Sequence, residues 1–114
     1  MAKVIWTNSA LADLGRIYDY LATSSQSFDL ADRICHELLS AAYDRLAAFP
    51  DAGSPAAEGA HYGARELYKH SYRLIYVHRG DACFVVRCLH SSRDIAKQLD
   101  PENWISDILK FDRE

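Results

Sequence analysis

Apolar residues recur at helical spacing twice in the first half of the chain and at strand spacing in the second. Leu11, Leu14, Ile17, Tyr18 and Leu21 return every three or four positions, and Asp13, Arg16 and Asp19 fall mostly between them. That is the signature of an amphipathic helix, with Asn8 or Ser9 placed to cap it. Residues 23–27 are polar and break the pattern. Ser27 can then cap a longer helix whose stripe is Ala31, Ile34, Cys35, Leu38, Ala42, Leu46 and Phe49, ended by Pro50. Two amphipathic helices with a short polar link predict an antiparallel hairpin. Ahead of it, residues 3–7 read as a short strand through the β-formers Val4, Ile5 and Trp6.

Residues 51–63 are rich in Ala, Gly and Pro and have no period, which predicts the one long loop. Three strands are expected next, over 65–68, 72–79 and 83–90, the last two rich in β-branched and aromatic residues. Gly80 and Asp81 between them suit a two-residue type II′ turn with glycine first. Such a turn puts Arg73, Ile75, Val77, Phe84, Val86, Cys88 and His90 on one face, and Leu74, Tyr76, His78, Cys83, Val85, Arg87 and Leu89 on the other. The first face is the more apolar, so it is expected to pack on the helical hairpin. The second carries enough apolar surface to need a cover, either the chain's last helix or a partner. Asp100-Pro101 opens that last helix, with Trp104, Ile105, Ile108 and Leu109 as its stripe. The fold class expected is therefore α+β: an N-terminal strand and an antiparallel helical hairpin on one face of a small curved antiparallel sheet, with a C-terminal helix.

Composition narrows the function classes. The 114 residues suit one domain, 1–114, of ordinary globular balance. No apolar run approaches a membrane span or a signal peptide, so a cytoplasmic protein without membrane contact is expected. The net charge of −3 argues against a protein that grips bare nucleic acid alone. Its distribution is uneven: residues 1–60 sum to −4, residues 61–97 to +4 and residues 98–114 to −3. The middle segment is a basic island. The three cysteines have no CxxC spacing and read as small buried hydrophobes. No glycine-rich phosphate loop and no metal-ligand spacing of histidines occurs, so neither cofactor nor metal is expected.

The order strand, helix, helix, three strands, helix, with its local sequences, resembles the ParE/RelE superfamily of toxins from type II toxin–antitoxin systems. The residues that carry the resemblance are Trp6-Thr7 leading into Ala12-Asp13-Leu14 and Ile17-Tyr18-Asp19-Tyr20; Phe49-Pro50 with Gly53; Arg65-Glu66-Leu67; Tyr72-Arg73-Leu74-Ile75-Tyr76; and Val86-Arg87-Cys88-Leu89-His90 ending in Arg93-Asp94. The pattern is closer to the ParE branch, with Cys88 where valine is usual. The resemblance also implies that the first strand lies beside the later ones.

The ParE resemblance implies a toxin of a plasmid-stabilisation type system that binds and poisons DNA gyrase, arrests growth, and is neutralised by a cognate, ParD-like antitoxin. It supplies no catalytic residue. Arg65, Arg73, Arg87, His90 and Arg93 of the basic island are the candidates for the target surface. For Arg73 and Arg87 the competing role is structural pairing with helix carboxylates such as Asp13 or Asp19. Tyr20, Tyr72, Tyr76, Trp104, Ile105 and Ile108 are the candidates for antitoxin contact. The alternative is a RelE-type ribosome-dependent ribonuclease, which needs a base, an acid and cations around the scissile phosphate; Arg73, His90 and Arg93 would serve it. That set looks incomplete: the usual lysine pair is replaced by Arg65-Glu66-Leu67-Tyr68, and no Tyr follows Tyr76 and no His follows His90. A non-enzymatic protein is therefore expected. A second alternative is a non-toxic binding member that acts only in an antitoxin complex.

Overall fold

The computed structural model describes residues 1–91. The chain enters as β1 (Lys3–Trp6) and turns at Thr7 into α1 (Asn8–Ser25). The Thr7 hydroxyl accepts the Ala10 N–H at 3.3 Å, so Thr7 is the cap rather than Asn8 or Ser9. It is held there from the other side. Its hydroxyl donates to the Val85 carbonyl at 3.0 Å, and its N–H reaches the same carbonyl at 3.0 Å. Gln26, in the left-handed region at φ 55°, ends α1. Ser27 then caps α2 (Phe28–Ala48), as its sequence position predicts, accepting the Leu30 N–H at 3.2 Å.

The stretch read as one long loop holds a two-residue strand, β2 (Ser54–Pro55), and a 3-10 helix over Ala57–Tyr62. Three longer strands follow: β3 (Ala64–Lys69), β4 (Tyr72–Arg79) and β5 (Ala82–His90). The sheet order is β1-β5-β4-β3-β2. Short turns make β3, β4 and β5 antiparallel neighbours, and β2 pairs antiparallel with β3. β1 reaches β5 only after the helical crossover and runs parallel to it, so the sheet is mixed. The Gly80-Asp81 turn has the expected two residues, with φ 59° at Gly80 and no positive φ at Asp81, as a type II′ turn requires.

The faces differ from the expectation in two ways. First, the hairpin packs on Leu74, Tyr76, Cys83 and Val85, which join Ala10, Ile17, Leu38, Ala42 and Leu46 in the core. Ile75, Val77, Phe84 and Val86 form the other face, with Ile5, Ala56 and Ala64. Both faces are apolar, so alternation alone did not decide which one the helices cover. Second, Tyr76 pairs with Val85 but Ile75 pairs with Arg87, so Val86 is an extra residue in a β-bulge. The bulge sends Cys88 to the helical face and Leu89 to the other, the reverse of a regular strand. The expected C-terminal helix lies outside the described residues. Cys35, Cys83 and Cys88 are buried free thiols.

Candidate functional site

Building outward from Thr7, the first turns of α1 are pinned against β5. This brings Asp13, only 2% exposed, to the bulged end of that strand. Its carboxylate accepts from Arg87 Nε at 2.7 Å and Nη2 at 3.1 Å, from the Cys88 N–H at 3.0 Å, and from Arg16 Nη2 at 2.6 Å. Burying a carboxylate is tolerable only with such complete pairing. Arg87 reaches the Asp13 carboxylate from beside the bulge, and the Cys88 N–H donates to the same carboxylate. Burial beside Asp13 pushes the Cys88 thiol up to about 12.

This latch forms one end of an open groove of about 600 Å³ between the helical hairpin and the β4–β5 end of the sheet. The helices supply Ile17, Leu21, Leu30 and Ile34 as an apolar wall, and Tyr20 stands at the rim with 67% exposure. The sheet supplies Tyr72, Cys88 and His90, and the His70-Ser71 turn closes the end. The rings of Tyr72 and His90 meet edge to face with centroids 5.4 Å apart. Burial raises the Tyr72 phenol above its ordinary value. His70, at φ 55°, reaches Glu37 of α2 with Nε2 2.5 Å from the carboxylate, tying the strand turn to the helix.

The sequence candidates divide sharply. Tyr20, Tyr72 and His90 come together in the groove. Tyr76 does not: it is fully buried, and its hydroxyl accepts the Gly53 N–H at 2.9 Å, so it belongs to the core and offers no contact surface. Burial raises its phenol, while the Gly53 hydrogen bond works the other way. Arg87 takes the structural pairing with Asp13. Arg73 is paired too, but with Glu66 of the neighbouring strand rather than with a helix carboxylate, and its side chain is 10% exposed. Arg65 sits apart, near the turn after α2. Its Nη1 donates to the Gly53 carbonyl at 2.6 Å and its Nε lies 3.9 Å from Asp51, which His78 also meets at 3.0 Å. Arg93, Trp104, Ile105 and Ile108 lie outside the described residues.

The ribonuclease set is not assembled among the described residues. Arg73 lies beside Ile75 and Glu66 on the face away from the helices, whereas His90 meets Tyr72 on the helical side. Among the described residues there is also no group of three or more His, Cys, Asp or Glu side chains that could hold a metal, and no helix is long and apolar enough to cross a membrane. Sequence reading missed Arg16 and His70 as groove residues. The available signal was Asp13, a carboxylate at a core-facing phase of α1 between Ala10 and Ile17, which demands cations around it.

Residues 4–95 match the family model for the ParE toxin of type II toxin-antitoxin system, parDE. Among solved structures, the chain is similar to one described as the chromosomal ParDE TA system from P. aeruginosa. The TM-score is 0.65 at 22% identity, over 79% of this chain and 96% of that one, a likeness of fold. No curated protein sequence matches.

Proposed function

This chain belongs to the ParE toxin family of type II toxin–antitoxin systems, and from that premise we propose that it arrests growth by occupying DNA gyrase and is neutralised by a cognate antitoxin. The observation that carries the non-enzymatic part is the fate of the island arginines. Arg73 and Arg87 are spent on Glu66 and Asp13, and Arg73 and His90 face opposite sides of the sheet. A ribonuclease needs its cations and its acid or base converging on one phosphate. A toxin that works by surface occupation needs none of them. Arg65, His90 and Arg93 stay as candidates for the gyrase-facing surface.

For the antitoxin, the groove is the seat we favour. Its apolar wall with an aromatic rim suits an amphipathic segment that orders on binding. Tyr20 and Tyr72 are its contact residues, and Trp104, Ile105 and Ile108 remain candidates. Tyr20→Ala removes an exposed ring at the rim, so it should weaken antitoxin binding at least tenfold with an unchanged melting point. Unchanged affinity would remove the groove from the reading.

The test of the target is plasmid topology after brief induction of this chain alone, with a parallel culture that co-expresses the adjacent antitoxin gene. Linear, protein-linked plasmid that disappears with the antitoxin is the expected result. Arrested growth with intact plasmid would shift the weight to RNA cleavage, and normal growth would favour a binding-only member.

A further inference from the structure

Among the described residues, the groove wall carries one guanidinium that the fold engages only in part. Asp13 is satisfied from inside by both Arg87 contacts and by the Cys88 N–H. Arg16 adds a further contact at 2.6 Å through Nη2 alone, while its side chain stays 67% exposed on the groove wall. One buried carboxylate thus meets two guanidinium groups, and the outer one engages it through Nη2, with no acceptor for its Nε and Nη1 among the described residues. At the far end of the groove the cationic form of His70 would be balanced by Glu37. Among the described residues the wall is therefore largely apolar, with the exposed Arg16 guanidinium at one end and the His70 and His90 rings toward the other.

We propose that Arg16 is the specificity-determining anchor of the groove, and that it takes a carboxylate side chain of an acidic, amphipathic segment of the antitoxin. This rests on the reading that the antitoxin sits in this groove. Charge complementarity argues for the occupant: a guanidinium whose fork is already oriented by Asp13 binds a carboxylate with little ordering cost. The apolar wall beside it takes the segment's hydrophobic side. A basic side chain at that point would face the Arg16 guanidinium directly, so the same residue disfavours it there.

The test measures binding of the antitoxin encoded beside this chain to the wild type, to Arg16→Gln and to Arg33→Gln, by calorimetry at two salt concentrations. Arg33 is exposed on α2 and does not line the groove, so it controls for diffuse electrostatics. Arg16→Gln should weaken binding about tenfold and flatten its salt dependence, and Arg33→Gln should change it less than about twofold. Arg16→Glu should weaken it further, and an antitoxin carboxylate changed to lysine should restore binding to Arg16→Glu and to no other variant. Equal losses for Arg16→Gln and Arg33→Gln, or no loss for Arg16→Gln while Tyr20→Ala still weakens binding, would overturn the anchor and leave the groove reading standing. Wild-type protein that fails to bind the antitoxin would overturn both.

Discussion

Asp13→Asn tests the central structural claim, because it removes a charge with almost no change of shape. Each carboxylate oxygen accepts two hydrogen bonds: Oδ1 from Arg16 and Arg87 Nη2, Oδ2 from Arg87 Nε and Cys88 N–H. An asparagine has one such oxygen. Whichever way the amide is turned, its NH₂ faces two donors, and Arg87, 15% exposed, loses the Asp13 charge it meets through Nε and Nη2. Breaking a buried pair from one side costs about 3–5 kcal/mol, a large part of the ~5–15 kcal/mol that holds a domain together. In a domain of this size that should lower the melting point by roughly 10–25 °C. Arg16→Gln is the internal contrast: its side chain is 67% exposed, and its loss should cost less than about 1 kcal/mol. Urea unfolding followed by circular dichroism measures both. The double change Asp13→Leu, Arg87→Met removes both charges and should recover much of the Asp13→Asn loss, since a matched apolar pair does not suffer the one-sided penalty. A loss under about 1 kcal/mol for Asp13→Asn, or an equal loss for Arg16→Gln, would refute the idea that Asp13 and Arg87 join α1 to the sheet.

Other outcomes follow from contacts at the opposite end. Gly53→Ala would set a Cβ 2.6 Å from the Glu66 carbonyl oxygen and 2.8 Å from the Tyr76 ring, so it should cost about 1–3 kcal/mol in urea titration; an unchanged midpoint would contradict that close approach. Tyr76→Phe leaves the Gly53 N–H without its acceptor and should cost about 1–3 kcal/mol, which a thermal melt would show. Stability should also fall in alkali. Burial, chiefly, pushes the Cys88 thiol from its ordinary value of 9.0 up to about 12 and Cys83 up to about 11. The fold holds neutral thiols, so their contribution is complete below pH 9 and is lost as the pH climbs toward 11 and 12. The urea midpoint should be level from about pH 7 to 8.5 and lower by about pH 10.5, with Cys88→Val recovering part of the fall; parallel declines in both proteins would contradict the assignment.

Both helices, the Ser27 cap and the Gly80-Asp81 turn were legible because each rests on local signals: period, capping chemistry and a turn that needs glycine. What was illegible is non-local. The run Phe84-Val85-Val86 is apolar on both faces, so nothing in it marks Val86 as the extra residue or says which face the helices take. Tyr76 looked like a surface aromatic because its Gly53 partner lies 23 positions away, across a stretch with no period. The groove was half legible. Tyr20 and Tyr72 were found as aromatic contacts, and Asp13 was named as a partner for Arg87, but Arg73 was matched to the helices when Glu66 was closer on the next strand. Alternation places a residue on a face; it does not choose its ion-pair partner.

The parallel seating of β1 against β5 also sets the order in which the protein can come into being. Lys3 through Trp6 leave the ribosome first, yet their hydrogen-bond partners lie in a strand that begins at Ala82, and Thr7 waits for Val85, 78 positions later. The helical hairpin is local and can form early, but it has no sheet to cover until β3, β4 and β5 have emerged. Asp13 stays without Arg87 for the same interval. A nascent or prematurely terminated chain therefore lacks the floor of the groove and the far half of its core at once. A chain built this way has no complete groove until its last described strand has emerged.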